Sequence, residues 1–169
     1  IKSIPEVNIL VTTVTLTAAK IAENNLPSNA VHQFAPLDCI NIVKKFIEHW
    51  KPDLVIWTES ELWPNLIYSL SSSKTTLISD NVPVILINAR LSARSFSRWS
   101  IVKPLAQFIL ECFSLILAQS KETKNYLEIL GAKNVAYVGN LKFMASNFIF
   151  NENEVRYMKE QVKERSVLM

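Results

Sequence analysis

Leu54-Val55-Ile56-Trp57-Thr58-Glu59-Ser60-Glu61-Leu62-Trp63-Pro64-Asn65 decides the fold of this chain. Its first four residues are an uninterrupted apolar run, which reads as a strand buried on both faces. The apolar segment that follows, Leu66-Ile67-Tyr68-Ser69-Leu70, reads as a helix. Pro64 falls in its first turn, where a missing N–H costs nothing and a fixed φ is already helical. A carboxylate, Glu59, therefore stands at the carboxyl end of a strand and just ahead of a helix. Open α/β sheets bind their ligands at that place.

The rest of the chain repeats this grammar. Ile9–Thr13 reads as a strand, Thr17–Glu23 as a short helix and Val31–Phe34 as a second strand. Asp38 is a helix-cap candidate. Ile40, Val43, Ile47 and Trp50 recur at helical spacing. Further strands are expected at Pro83–Asn88, Leu115–Ala118 and Val135–Val138. Ala93–Glu111 reads as a helix interrupted near Pro104, and Lys121–Leu130 as a helix closed by Gly131. Ser71–Thr76 reads as a polar loop and Glu152–Arg165 as a charged helix. Strands alternating with helices imply a parallel sheet with right-handed crossovers: an α/β, Rossmann-like sheet flanked by helices.

Composition narrows the function. With 169 residues, 49% of them hydrophobic, the chain can build one domain with a substantial core. Its two glycines, Gly131 and Gly139, exclude both the dinucleotide-binding fingerprint and the Walker loop, so no cofactor is expected. His32, His49, Cys39 and Cys112 show no metal-ligand spacing, and both cysteines read as free, buried thiols. The net charge of +3 identifies no partner, and no nucleic-acid partner is expected. No apolar stretch approaches the roughly 20 residues that cross a bilayer. The chain begins at Ile1 rather than methionine, and residues upstream of it are expected in the intact protein.

Four blocks carry a resemblance to a known family. They are Leu10-Val11-Thr12-Thr13-Val14-Thr15-Leu16-Thr17, then Glu59–Asn65, then Asn88-Ala89-Arg90-Leu91-Ser92-Ala93-Arg94-Ser95, and finally Gly139-Asn140-Leu141-Lys142-Phe143. In this order and spacing they resemble the Kdo (3-deoxy-D-manno-octulosonic acid) transferases. Ala18 stands where that family has glycine. The resemblance implies the N-terminal half of a GT-B glycosyltransferase. Residues 1–150 would form its acceptor-binding domain, incomplete at the N-terminus, and 151–169 a helix and the start of a linker to an absent donor domain.

The implied reaction moves Kdo from CMP-Kdo to a lipid A precursor in lipopolysaccharide core biosynthesis. The implied site is at the cytoplasmic face of the inner membrane, with the donor held by the missing C-terminal domain. By resemblance, Glu59 and Lys142 stabilise the transition state, while the general base lies outside this chain. The fragment alone is then expected to be inactive. The residues themselves leave other readings open: Glu59 as a helix cap or arginine partner, and Lys142 as an ordinary surface lysine. Glu61 is expected to face the helix N-terminus and Trp63 to pack. Arg90 and Arg94 suit phosphate or carboxylate recognition through their planar forks, or structural ion pairs. Thr13 and Thr15 could offer hydroxyls to a sugar. Arg90, Arg94, Arg98 and Lys103, interleaved with Phe96, Trp99 and Ile101, fit an anionic membrane interface or an ordinary amphipathic helix. The alternative to an enzyme is a non-catalytic remnant that binds lipid or a protein partner.

Overall fold

The computed structural model describes residues 7–59, 61–73, 81–144 and 152–161. The chain alternates strand and helix from β1 (Ile9–Thr13), α1 (Leu16–Asn25), β2 (Ala30–Phe34) and α2 (Ile40–Trp50) to β3 (Val55–Thr58) and α3 (Pro64–Ser71). It continues through β4 (Val84–Ala89), α4 (Ala93–Ile101), α5 (Lys103–Glu111), β5 (Leu115–Ala118), α6 (Lys121–Ile129) and β6 (Val135–Tyr137). A 3₁₀ turn at Leu141–Met144 and a final helix, α7 (Glu152–Gln161), follow. The expected polar loop falls largely outside the described residues, as does the end of the charged helix beyond Gln161.

Every strand pairing is parallel. The ladders form two pieces, a two-stranded β1-β2 and a four-stranded β3-β4-β5-β6. Side-chain and terminal chemistry sets the helix ends. Thr15, Ser92 and Ser120 accept hydrogen bonds from the third amide after themselves and so start α1, α4 and α6. Pro64 opens α3 as anticipated. Gly131, at φ 104, takes the left-handed residue that closes α6. The helix around Pro104 is two helices that meet at Val102.

The core lies on one side of the four-stranded piece. Val84, Leu86 and Ile116 from the sheet are sealed by Val43 of α2, Ile67 of α3 and Ile109 of α5. Burying a side chain of this size contributes about 1.5–3 kcal/mol. In α1, by contrast, Ala19 and Ala22 are buried against β1 and β2, apart from that core. α2 instead packs along α3. β1 and β3 are edge strands of their pieces, and the sides they turn away from β2 and β4 are termed the inner edges.

The inner edges carry no strand partner among the described residues. The Ile9 amide donates to Asn29 and the Ala35 amide to Thr13, which turns Leu10 and Thr12 away from β2. The Val55 and Glu59 amides donate to Pro83 and Ile87, which turns Ile56 and Thr58 away from β4. Ile56, from a run that reads as fully buried, is 58% exposed.

Asp38 ties the two pieces together. It does not cap α2, whose N-cap is Cys39. Its carboxylate instead accepts from the Leu66 amide at 2.8 Å and the Asn65 amide at 3.2 Å, in the first turn of α3. The Asn65 carboxamide donates back to the Asp38 carbonyl at 2.8 Å. Trp63, the N-cap of α3, makes no capping bond of its own, so Asp38 takes that role from 27 residues away. Glu61, expected there, contributes only its carbonyl, which accepts from the Trp57 indole at 2.8 Å. Both cysteines are free, but neither is buried as expected: Cys39 is exposed and Cys112 half-buried.

Candidate functional site

The carboxyl ends of β3, β4, β5 and β6 converge on a polar cavity of about 270 Å³. Glu59, Asn88, Arg90, Gln119, Asn140 and Lys142 line it. Glu59 follows β3, Asn88 and Arg90 come from the end of β4 and its loop, Gln119 follows β5, and Asn140 and Lys142 follow β6, so the parallel sheet gathers residues that are distant in the chain. No helix among the described residues is long and apolar enough to cross a membrane, and no cluster of His, Cys, Asp or Glu among them could hold a metal.

Glu59 and Lys142 meet across this cavity. The Lys142 Nζ lies 2.9 Å from the Glu59 Oε1. Their side chains are 72% and 53% exposed, so the pair itself adds at most about 1 kcal/mol to stability. The geometry around it is less ordinary. Glu59 has φ 60, the left-handed region that a residue with a Cβ occupies at a cost. Strain of this kind in a non-glycine residue concentrates at functional positions. The backbone is held there by the Glu59 amide, which donates to Ile87 at 3.0 Å.

Lys142 comes from the 3₁₀ turn. Gly139, at φ 85, reverses the chain after β6. The Lys142 amide then donates to the Asn140 side chain at 3.0 Å, and the Leu141 amide to the Asn88 side chain at 3.3 Å. Sequence reasoning did not single out Asn88, Gln119 or Asn140. Asn88 and Asn140 sit inside the resembling blocks, and Gln119 lies between the third and fourth of them, but nothing in residue type alone separates a lining asparagine from a turn asparagine.

The other expected residues divide. Arg90 lines the polar cavity and also a smaller apolar one of about 90 Å³ with Leu62, Leu91 and Trp99. Arg94 is exposed on the first turn of α4 and lines neither cavity. Thr13 and Thr15 are on the two-stranded piece. The Thr13 hydroxyl sits 2.9 Å from the His32 Nε2, and Thr15 is the N-cap of α1. Phe96 stacks on Tyr126, with centroids 4.4 Å apart, and both Phe96 and Trp99 pack on the core. Only Ile101 of that aromatic-and-basic stretch remains a fully outward apolar side chain. Trp63 packs on the core as expected.

Comparison with known proteins agrees with this architecture. The family described as 3-deoxy-D-manno-octulosonic-acid transferase (Kdotransferase) matches residues 1–145. A 3-deoxy-D-manno-octulosonic acid transferase of Rickettsia bellii is 37% identical over 168 residues, covering 99% of this chain and 38% of its own length. A protein of the same name from Rickettsia typhi is 34% identical, over 99% of this chain and 35% of its own. Another from Haemophilus influenzae is 33% identical over 141 residues, which is 82% of this chain and 31% of its own. The chain thus spans about a third of the length of these relatives. On the strength of the matched span and the Rossmann-like α/β architecture, this chain belongs to the Kdo transferase family, as the N-terminal, GT-B half of such an enzyme.

Proposed function

We propose that this chain is the acceptor-side half of a glycosyltransferase that moves Kdo from CMP-Kdo to a lipid A precursor in lipopolysaccharide core biosynthesis. The observation that carries the reading is the Glu59–Lys142 pair at 2.9 Å, open to a polar cavity at the carboxyl end of the sheet. Departure of CMP leaves positive charge on the anomeric carbon and negative charge on the phosphate. Opposed fixed charges suit that separation: the carboxylate faces the developing cation and the ammonium faces an anion. Without ligand, each charge compensates the other. Arg90, on the same cavity, offers a planar fork to a phosphate or to the sugar carboxylate. Arg94, Thr13 and Thr15 belong to a wider acceptor surface in this reading.

Residues 1–150 form the acceptor domain and 151–169 lead toward a donor domain that binds CMP-Kdo. The general base comes from outside these residues. The enzyme works on the cytoplasmic face of the inner membrane as a peripheral protein, where its lipid acceptor lies.

The test is Kdo transfer from CMP-Kdo to a lipid A precursor by the intact protein. Glu59→Gln and Lys142→Met should each lower kcat by roughly 10²–10³, the usual scale for loss of one electrostatic contact to a transition state. An intact protein that transfers no Kdo, or variants that transfer at the parent rate, would refute the assignment. Lipid binding without transfer would instead identify a non-catalytic binding module.

A further inference from the structure

We propose that Asn88 is the positioning residue of this site: its side chain holds the turn that brings Lys142 to Glu59. The proposal rests on reading Glu59 and Lys142 as the working charges, although its principal test does not.

Three observations converge. The first is a bulge in β4. Leu86 pairs with Ile116 and Ala89 with Ala118, so three steps along β4 match two along β5. A bulge re-aims the side chains around it. The second is the conformation of Asn88, at φ 52. Asparagine tolerates this left-handed region better than other residues with a Cβ. The third is its burial and reach. Asn88 is 7% exposed, yet its Oδ1 accepts from the Leu141 amide, 53 residues on.

Among the described residues the 3₁₀ turn has few other restraints. Phe143, its largest side chain, is 86% exposed and anchors nothing. Gly139, the residue before it that reverses the chain, has no neighbour within 4 Å of where a Cβ would stand. The Asn140 bonds to Lys142 and Phe143 tighten the turn internally but do not fix it to the sheet. The Asn88–Leu141 bond does. It sets where Lys142 begins, and so whether a flexible ammonium finds Glu59.

Two variants at Asn88 separate side chain from backbone, and a third substitution reports on the ion pair. Asn88→Gly keeps the left-handed conformation and removes the carboxamide. Asn88→Asp keeps an acceptor at the same place. Lys142→Met, alone and combined with Asn88→Gly, reports the pair through the Glu59 carboxyl resonance. Amide hydrogen exchange on this chain is the main readout. Leu141 exchange should rise about fivefold in Asn88→Gly, as expected for one lost hydrogen bond, and stay near the parent rate in Asn88→Asp. The Glu59 shift caused by Lys142→Met in the parent should shrink in the Asn88→Gly background.

Unchanged Leu141 exchange in Asn88→Gly overturns the proposal, as does equal acceleration in both Asn88 variants. If Asn88→Gly unfolds, seen as fast exchange at Leu86 and Ile116, Asn88→Asp decides. Slow Leu141 exchange there supports the tether and fast exchange refutes it. Transfer activity is separate. Kdo transfer that survives Glu59→Gln removes the functional reading while leaving the exchange result intact. Failure of the exchange test with transfer lost in Glu59→Gln removes only the positioning role.

Discussion

Replacing Asp38 with alanine should cost more than its half-exposed position suggests. The carboxylate accepts from two amides in the first turn of α3, at 2.8 and 3.2 Å, and that helix has no capping side chain of its own. An N-cap side chain contributes about 0.5–2 kcal/mol. A negative charge at a helix N-terminus adds about 0.3–1 kcal/mol. Together these give an expected loss of roughly 2 kcal/mol. For a chain of this size that lowers Tm by about 4–8 °C. Urea titration followed by far-UV circular dichroism reads the change as a lower midpoint at constant slope. Asp38→Asn, which keeps an acceptor and loses the charge, should recover about half. A loss below about 0.5 kcal/mol in Asp38→Ala would show that water caps α3 equally well. A fall in slope would mean the β1-β2 piece unfolds separately, because Asp38 joins it to the rest.

Three further outcomes are expected. Ile67→Ala removes a fully buried side chain from the core and should cost about 2–5 kcal/mol in the same urea titration. Gly131→Ala places a Cβ 2.8 Å from the Gln107 Cγ at φ 104, and should lower stability by more than about 1 kcal/mol; a neutral result would mean Gln107 swings aside and the backbone relaxes. Glu111 is held below the usual carboxylate range by hydrogen bonds from Lys133 and then Gln107. Its contribution is therefore present above the unfolded-state pKa and lost as the pH falls through its lower folded value. Glu111→Gln should flatten that part of the stability–pH curve and leave neutral pH little changed, since the pair is surface-exposed; an unaltered acid limb would disprove the assignment.

The sequence was most legible where local chemistry decides. Pro64 opens α3, Gly131 closes α6, and the apolar runs become strands within a residue or two of their expected ends. It was least legible where a residue acts at a distance. Asp38 looked like a cap and is one, but for a helix 27 residues away, because the loop after β2 folds back onto α3. Asn88 carries no local sign of its bulge, which arises from how β4 registers on β5. Phe96 and Trp99 alternate with charges as an interfacial helix would. The same spacing serves a helix lying on a core, and both side chains pack there, with Phe96 also stacked on Tyr126. Glu59 and Lys142 were singled out separately by resemblance, and only the sheet brings them together.

The inner edges of β1 and β3 also govern how this chain behaves in a test tube. Native edge strands usually protect themselves with lysine, proline or an inward charge. Ile-Leu-Val-Thr-Thr and Val-Ile-Trp-Thr contain none of these. Hydrogen-bonding groups turned outward on Leu10, Thr12, Ile56 and Thr58 form a ready template for another polypeptide. Concentration thus becomes a structural variable: crowded molecules are expected to zip edge to edge, and dilute ones to remain apart. A single gatekeeper charge at Thr12 or Ile56 should keep preparations monodisperse at concentrations where the parent precipitates.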